Sequence, residues 1–226
     1  MENESKADKE LYAQFVTFST AGNIPPELFQ QSWIPQAKGL AVRGIGNIIL
    51  SEKIVVPGEF NPYKFVSKNW WDSVKAVKIT FPNGLPGPST RGHITVSQGG
   101  VFKAVYWTDE LLEYHTSMHP YTKSDFKLLF MLPTQCSTPS DDEIEGIRDF
   151  LYRMTGFKSQ CMFKIDPSSG DYSCAWLYSW IIEVYFGAGD ITPAAVVEEV
   201  RNSEKFSREW KICIMKDDVQ VTPFEY

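Results

Sequence analysis

The chain has 226 residues, of which 43% are hydrophobic and 22% charged, and its formal net charge at pH 7 is −6. These proportions are typical of a folded globular protein and exclude a largely disordered chain. They also argue against a transmembrane helix, because no run approaches the ~20 apolar residues that a span requires, and against nucleic-acid binding, because Lys and Arg do not cluster.

Charge is divided unevenly along the chain. Residues 1–108 hold eleven Lys and Arg against eight Asp and Glu, a net +3, whereas residues 109–226 hold eleven against twenty, a net −9. Such asymmetry can orient a protein in a complex, although an acidic half that only solvates its helices explains it equally simply. The first residues, MENESKADKE, lack the apolar core of a signal peptide. We therefore expect an intracellular, cytoplasmic protein with reduced cysteines and no membrane span.

The first forty residues carry weak patterns. Residues 1–10 are polar and are expected to form a flexible tail, ahead of a single α+β domain over residues 11–226. The segment LYAQFVTF, from Leu11, is compatible with a helix or a strand. Pro25, Pro26 and Pro35 predict an irregular connection that contains one short helical turn.

Strand patterns dominate from Gly39 onward. LAVRGIGNIIL, residues 40–50, carries two glycines that indicate a bulge or a close backbone approach, but it lacks the third glycine of a dinucleotide fingerprint. VKAVKITF, residues 74–81, alternates as a half-buried strand does. Gly99–Gly100, between two strand-like runs, predicts a tight hairpin. The interleaved lysines of this region favour a solvated strand face: Lys64, Lys68, Lys75 and Lys78.

Helix patterns occur in the second half. Thr108 is placed to cap DELLEYHTSMH, which Pro120 would end. Ser140 and Glu143 form a capping-box pattern ahead of an amphipathic segment that Gly156 would end. Thr192, followed by Pro193, predicts a third helix.

Two aromatic-rich segments, SQCMFKID and YSCAWLYSWIIEVYF, are joined by PSSG and predict a second hairpin. A four-residue loop would place Cys161 opposite Trp176, with Cys174 two residues along on the same face. The C-terminal run predicts a strand with Trp210, Ile212 and Ile214 on one face. The predicted fold is therefore α+β, mainly an antiparallel sheet that is sandwich-like or open, with about three helices mostly in the second half.

His115 and His119 are four residues apart on the first predicted helix, the spacing that zinc enzymes use in H-E-x-x-H. Thr116, Ser117 and Met118 stand between them, so the glutamate that would act as general base is missing. A zinc cluster built on this pair would add Cys161 and Cys174. The alternative is a partly exposed helix end, where imidazoles suit the C-terminal dipole.

The cysteines lack the C-x-x-C spacing of a strong metal or redox motif. Cysteine commonly behaves as a small buried hydrophobic residue. Cys136 lies in a loop rich in Pro, Thr and Ser and is the most exposed thiol by pattern, but no flanking charge pattern indicates a lowered pKa.

Three functions remain open on this basis. Because no reactive constellation stands out and no cofactor is indicated, the first is a non-catalytic structural, assembly or adaptor protein, of viral type by composition, that binds a protein partner or itself. The second is a metal- or thiol-dependent enzyme that uses His115, His119 and a cysteine. The third is a carrier of a small apolar ligand, with a cavity lined by four aromatic residues: Tyr106, Trp176, Tyr178 and Trp180.

Overall fold

A computed structural model of the protein describes residues 10–19, 24–58, 63–85, 89–91, 94–108, 126–166, 178–187, 191–206 and 209–221. Its first half contains β1 (Tyr12–Ser19), α1 (Pro26–Ala41), β2 (Ile45–Lys53), β3 (Phe65–Trp71), α2 (Val74–Thr80), β4 (Ser89–Arg91) and β5 (Ile94–Trp107). Its second half contains β6 (Phe126–Pro133), α3 (Asp141–Tyr152), β7 (Phe157–Ile165), β8 (Tyr178–Phe186), α4 (Pro193–Asn202) and β9 (Lys211–Val221).

The strands form a closed antiparallel barrel. Their order is β1-β3-β2-β9-β6-β8-β7-β5, and β1 also pairs with β5, so that eight strands close on themselves while β4 extends from β5. The closing register places Phe15 opposite Gly100 and Val16 opposite Gly99. Closure leaves no long unpaired strand edge in the ring.

Each half of the barrel is a βαββαβ unit of ferredoxin-like topology. The first unit orders its strands β5-β1-β3-β2, and the second orders the equivalent strands β9-β6-β8-β7. The two units join through the β2–β9 and β5–β7 pairings. The helices lie on the outside, and the inward-facing side chains fill the barrel.

The predicted sandwich-like or open sheet with about three helices is wrong. The sheet is closed, and the described residues contain four helices, two in each half. Sequence patterns predict single strands because they are local. Closure of the sheet into a barrel depends on pairings between segments that lie far apart in sequence, such as β2 with β9.

Two helices are confirmed where their capping residues predicted them. Ser140 Oγ accepts from the Glu143 N–H at 3.2 Å, and Glu143 Oε2 accepts from the Ser140 N–H at 2.7 Å, which completes the capping box of α3. Thr192 Oγ1 accepts from the Ala195 N–H at 3.2 Å and begins α4. These local bonds satisfy N–H groups that the helix itself leaves unpaired.

Three predictions in the first half are wrong. Residues 74–80 form α2 and not a strand, because Ser73 caps the helix through the Ala76 N–H at 3.2 Å and Val77 is buried beneath it. The single helical turn predicted near Pro26 is the 16-residue α1, which includes Pro35 and buries a stripe at four-residue spacing: Phe29, Trp33, Ala37 and Ala41. The Gly99–Gly100 hairpin does not form, since β5 continues through both glycines.

β7 and β8 pair as neighbouring antiparallel strands, but not in the predicted register. Cys161 lies opposite Glu183, and Lys164 lies opposite Trp180. Trp176, Cys174 and the PSSG loop lie outside the described residues. The aromatic segment therefore pairs through its later part, residues 178–186.

Helices cover both outer faces of the barrel. α1 packs Phe29 against Phe65 with ring centroids 4.1 Å apart, and α3 and α4 pack on the outer face of β6 and β8. Trp210, Ile212 and Ile214 are all buried in that second outer layer. No helix in the described part of the chain is long and apolar enough to cross a membrane. The division into a tail over residues 1–10 and one domain over 11–226 stays a prediction.

Candidate functional site

A cleft of about 100 Å³ lies on the outer surface of the first half of the barrel. α1 forms one wall, the residues that follow α2 form the other, and β1 and β3 form the floor. Among the described residues, α1 and the shorter α2 leave part of the sheet between them uncovered, and the cleft lies there.

The floor is polar. Gln14 on β1 and Asn69 on β3 lie directly opposite one another, and Ser67 lies two residues along β3 on the same face. Successive strand residues point to opposite faces, so Lys68, between Ser67 and Asn69, points into the barrel. Gln14 is 3% exposed and Asn69 is 4% exposed.

The amides of this floor lack hydrogen-bond partners among the described residues. The atoms concerned are Gln14 Oε1, Asn69 Oδ1 and Asn69 Nδ2. A buried polar atom without a partner costs about 1–3 kcal/mol, and such atoms are rare in folded proteins. Because Gln14 and Asn69 also line the cleft, these atoms are candidates to pair with a molecule that enters it.

The walls of the cleft are apolar apart from Gln36 on α1. Trp33, Ala37 and Leu40 come from α1, Phe81 and Leu85 follow α2, and Val16, Phe18 and Ile48 come from the sheet. None of the described residues that line the cleft has an ionisable side chain. The cleft therefore suits an uncharged molecule.

Gly44 fixes the position of the Asn69 side chain. A Cβ atom at Gly44 would lie 2.8 Å from Asn69 Oδ1 and 2.7 Å from the Trp70 carbonyl oxygen. Both distances are too short for real contacts, so only glycine allows this approach. The close backbone approach predicted for residues 40–50 is confirmed at this residue.

The equivalent outer face in the second half is apolar. Leu128 and Phe130 on β6, and Ile182 and Val184 on β8, pack under α3 and α4. The two βαββαβ units thus differ at this place: the outer face of the sheet is polar in the first unit and apolar in the second. Packing alone does not require Gln14 and Asn69.

A second polar group lies inside the barrel. Glu183 receives hydrogen bonds from Lys68, from Lys127 Nζ at 2.7 Å and from the Tyr185 hydroxyl at 2.9 Å. Lys127 also forms a salt bridge of 2.8 Å with Asp217. The Ser51 hydroxyl donates to the same Asp217 oxygen at 2.8 Å.

The pKa values in this charged cluster follow from its composition. Burial raises the pKa of Glu183 most strongly, but Lys127 and Lys68 together outweigh burial and bring it to about 2. Burial lowers the pKa of Lys127, yet Asp217 and Glu183 raise it overall. Burial and the repulsion from Lys127 hold the pKa of Lys68 below its usual value despite Glu183. Lys68 is thus the weaker base because it has one carboxylate partner instead of two.

The prediction that Lys68 belongs to a solvated strand face is wrong. Its side chain is 1% exposed and lies inside the barrel. By contrast, Lys75 and Lys78 on α2 are exposed. The prediction placed all four lysines on a strand face, but Lys75 and Lys78 belong to the helix α2.

The predicted metal cluster is only partly described. His115, His119 and Cys174 lie outside the described residues, and Cys161 is fully buried in the barrel interior. Among the residues that the structure describes, no three His, Cys, Asp or Glu side chains are grouped to hold a metal ion. Zinc bound by His115 and His119 therefore stays a prediction.

The two described thiols that the sequence analysis considered are poor nucleophiles. Burial raises the pKa of Cys161 well above its usual value, more than the attraction of Lys68 lowers it. Burial and then Glu209 raise the pKa of Cys136. The thiolate is the reactive form of cysteine, so neither environment activates the thiol.

The aromatic residues predicted to line a carrier cavity are separated. Tyr178 lies in the barrel interior, where its hydroxyl is 2.9 Å from that of Tyr63. Trp180 and Tyr106 pack in the outer layer under the second-half helices. Trp176 lies outside the described residues. The cleft between α1 and α2 is a different site.

Sequence reasoning missed both polar groups. Gln14 and Asn69 each share the outer face of their strand with apolar residues, where one or two polar side chains are also what a partly solvated strand shows, so they carry no distinctive signal. Lys68 does carry one, because Val66 and Trp70 share its face and mark that face as buried.

No model of a known protein family matches the sequence, and a search of curated proteins finds no match. Solved structures share the fold. An anthrone oxidase-like protein is 13% identical, with a TM-score of 0.56 and coverage of 96% of this chain and 95% of that one. A protein provisionally named chlorite dismutase is 10% identical, with a TM-score of 0.50 and coverage of 93% and 96%.

A third structure is a chlorite dismutase variant from Candidatus Nitrospira defluvii in complex with cyanide. It is 9% identical, has a TM-score of 0.50 and covers 92% of this chain and 91% of its own. At these identities the likeness shows the fold alone. The prediction of a non-catalytic structural, assembly or adaptor protein of viral type is nevertheless contradicted, since the proteins with this fold carry enzyme names.

Proposed function

We propose that this protein is an enzyme that binds a small, largely apolar and uncharged substrate in the cleft between α1, α2 and the sheet. The observation that carries the proposal is a set of buried amide atoms that have no partner among the described residues, namely Gln14 Oε1 and both amide atoms of Asn69, two residues that line the cleft floor. The names of the proteins that share its fold, an anthrone oxidase-like protein and a chlorite dismutase, support oxidoreduction as the reaction class.

The roles of the cleft residues follow from their chemistry. The amides of Gln14 and Asn69 orient the substrate by hydrogen bonds, and the apolar walls exclude water around it. No ionisable side chain among the described residues lines the cleft. Proton transfer or redox chemistry would therefore come from the substrate itself, from a co-reactant, or from a group held by residues that are not described, such as His115 and His119.

A cleft-blocking variant tests this function. Leu40 lines the cleft from α1, whereas Leu28 lies on α1, is 37% exposed and does not line it. We expect wild-type protein to bind neutral ring compounds with NMR shift changes centred on α1 and β3, and to consume oxygen with anthrone as probe. Leu40→Trp should abolish both effects, and Leu28→Trp should leave them unchanged.

Two outcomes would show that the substrate does not bind in the cleft. If neutral ring compounds shift only resonances outside the cleft, or if Leu40→Trp binds and turns over probes as well as Leu28→Trp does, the cleft is not the site. Binding without any turnover would favour the second candidate, a carrier of small apolar ligands. That candidate is supported by the lack of ionisable residues among the described lining of the cleft.

The zinc content of the purified protein tests separately whether His115 and His119 make this a metal-dependent enzyme. Elemental analysis of purified protein should show stoichiometric zinc that is lost in His115→Ala if the histidine pair binds it. Cys161→Ser should not change the zinc content, because Cys161 is fully enclosed in the barrel interior. Loss of zinc in Cys161→Ser with retention in His115→Ala would reverse that assignment.

Self-association is proposed separately from catalysis. Val55 is 78% exposed, Ile79 is 70% exposed and Val42 is 61% exposed, and a second copy that covered any of these side chains would remove apolar area from water. Light scattering after size exclusion measures the mass directly, and a monomer at all accessible concentrations would contradict the proposal.

A further inference from the structure

We infer that the substrate bound in this cleft carries an uncharged hydroxyl group on an apolar body of single-ring width. The inference rests on the proposed function and deepens it, because it names the group that the amide floor recognises. Three features support it: the set of donors and acceptors on the floor, the lack of charge around it, and the volume of the cleft.

A hydroxyl group pairs with the floor both as a donor and as an acceptor, and it donates to one of the two amide oxygens. Gln14 Oε1 and Asn69 Oδ1 are acceptors, and Asn69 Nδ2 is a donor, all without partners among the described residues. A hydroxyl donates one hydrogen bond and accepts up to two. A ketone or ether oxygen only accepts, so it could satisfy Asn69 Nδ2 but would leave both amide oxygens unpaired.

The register brings these groups within reach of one ligand atom. Gln14 and Asn69 are direct partners across β1 and β3, and the Cβ atoms of such a pair are ~4.5–5.5 Å apart. Both side chains are on the outer face and line the same cleft. Gly44 leaves the space that the Asn69 amide occupies.

The cleft disfavours charged ligands. Transfer of an ion from water into an apolar site is costly unless an opposite charge pairs with it. Lys, Arg, His, Asp and Glu are absent from the described lining. Two acceptor oxygens at the floor would also repel a carboxylate or a phosphate.

The volume of the cleft limits the width of the part of the substrate that enters it. An apolar cavity of about 150 Å³ in an engineered protein accommodates benzene, and this cleft measures about 100 Å³ and opens to the surface. Trp33 and Phe81 both line the cleft, so one ring, or an aliphatic group of equal width, would be enclosed at its inner end while the rest lies in the opening. A larger substrate would extend through the opening.

Phenol, toluene and benzoate separate these features. Phenol and toluene have nearly the same shape and differ in the hydroxyl group, and benzoate adds a negative charge. In titrations of isotope-labelled full-length protein followed by NMR, we expect phenol to bind in the cleft about tenfold more tightly than toluene, as one or two net hydrogen bonds would give. Benzoate should bind at least tenfold more weakly than phenol.

Variants assign the preference to the amides. Asn69→Leu and Gln14→Leu keep the approximate volume and remove the polar atoms, so the ratio of phenol to toluene affinity should fall to about one while toluene still binds. Gln160→Leu is the matched control, because Gln160 is a fully buried glutamine on β7 in the other half. It should leave the ratio unchanged.

Each outcome supports or overturns the inference. Equal binding of phenol and toluene in the wild-type cleft would overturn the hydroxyl preference and leave the proposed function intact. Tighter binding of benzoate would overturn the uncharged class. If none of the three probes shifts cleft resonances but other neutral ring compounds do, the inference fails and the proposed function stands; if no neutral ring compound shifts them, both fail.

Discussion

Lys127 and Glu183 form a salt bridge of 2.7 Å in the interior of the closed barrel, with side chains that are 2% and 0% exposed. They come from the adjacent strands β6 and β8, while the second lysine on Glu183, Lys68, comes from β3 in the other βαββαβ unit. The salt bridges therefore connect the two halves through the barrel and not only around its wall.

Glu183→Gln should destabilise the fold strongly. Removal of one partner from a buried ion pair leaves the remaining charge uncompensated and costs about 3–5 kcal/mol, and here two lysines lose their shared carboxylate. The free energy of unfolding in urea measures the effect. The control is Glu145→Gln on α3, since Glu145 is 64% exposed and 3.8 Å from Arg148; it should change stability by less than about 0.5 kcal/mol. A loss no larger than the control's would contradict the charged cluster.

Stability should fall in acid for the same reason. The pKa of Glu183 is about 2 in the folded protein, against 4.5 for an ordinary glutamate such as the unfolded chain presents, so the unfolded chain binds the extra proton between these values. The contribution of Glu183 is fully present above pH 4.5 and is lost as the pH falls towards 2, on the order of 3 kcal/mol. Urea titrations from pH 6 to pH 2.5 should show this slope in the wild-type protein and a shallower one in Glu183→Gln. If stability fell equally steeply with pH in both proteins, the sensitivity to acid would arise from groups other than Glu183.

Helices that carry their own caps could be predicted, because Ser140 with Glu143 and Thr192 with Pro193 act within one turn. The helix over residues 74–80 could not, since the alternation of Val77, Ile79 and Phe81 with polar residues fits a strand equally well. Only the cap at Ser73 and the packing of Val77 decide the outcome. Gly99–Gly100 fits a hairpin locally, but pairing with Val16 and Phe15 across the barrel seam keeps it extended.

The candidate site was harder to predict than the fold. The polar floor depends on the β1–β3 register, which brings Gln14 opposite Asn69 from 55 positions away. Whether an amide is solvated or enclosed depends on where α1 lies, and α1 is longer than its prolines suggested. The buried charges needed three strands in the correct order before Lys68, Lys127 and Glu183 could meet.

Two buried polar residues should respond oppositely to truncation. Ser51 is 1% exposed and donates to the Asp217 carboxylate, so Ser51→Ala should cost about 1.5–3 kcal/mol. Asn69 has no partner among the described residues, so Asn69→Leu should be neutral or stabilise by about 1 kcal/mol. Thermal unfolding of both variants tests the contrast. A strong loss in Asn69→Leu would mean that the amide has a structural partner and is not reserved for a ligand.

Thiol accessibility should separate Cys136 from the interior cysteines. In a Cys174→Ser background, one thiol equivalent, that of Cys136, should react with a disulfide reagent in native buffer. Cys161 and Cys213 are 0% and 1% exposed and should react only after unfolding. A native Cys136→Ser, Cys174→Ser protein that still reacted rapidly would contradict the closed interior. Reaction of Cys136 should accelerate with rising pH, because its pKa is raised.

Gly44→Ala and Gly39→Ala should differ in sign although both glycines lie near the end of α1. A Cβ atom at Gly44 would meet the Trp70 carbonyl oxygen at 2.7 Å and Asn69 Oδ1 at 2.8 Å, whereas one at Gly39 would have no neighbour within 4 Å. Forced displacement costs about 1–3 kcal/mol, while alanine in a helix is favoured over glycine by up to ~1 kcal/mol. Urea unfolding should therefore show a loss for Gly44→Ala and a gain for Gly39→Ala. Because the Asn69 amide must move in the first variant, its preference for phenol over toluene should fall as well; an unchanged preference would show that the position of Asn69 does not depend on Gly44.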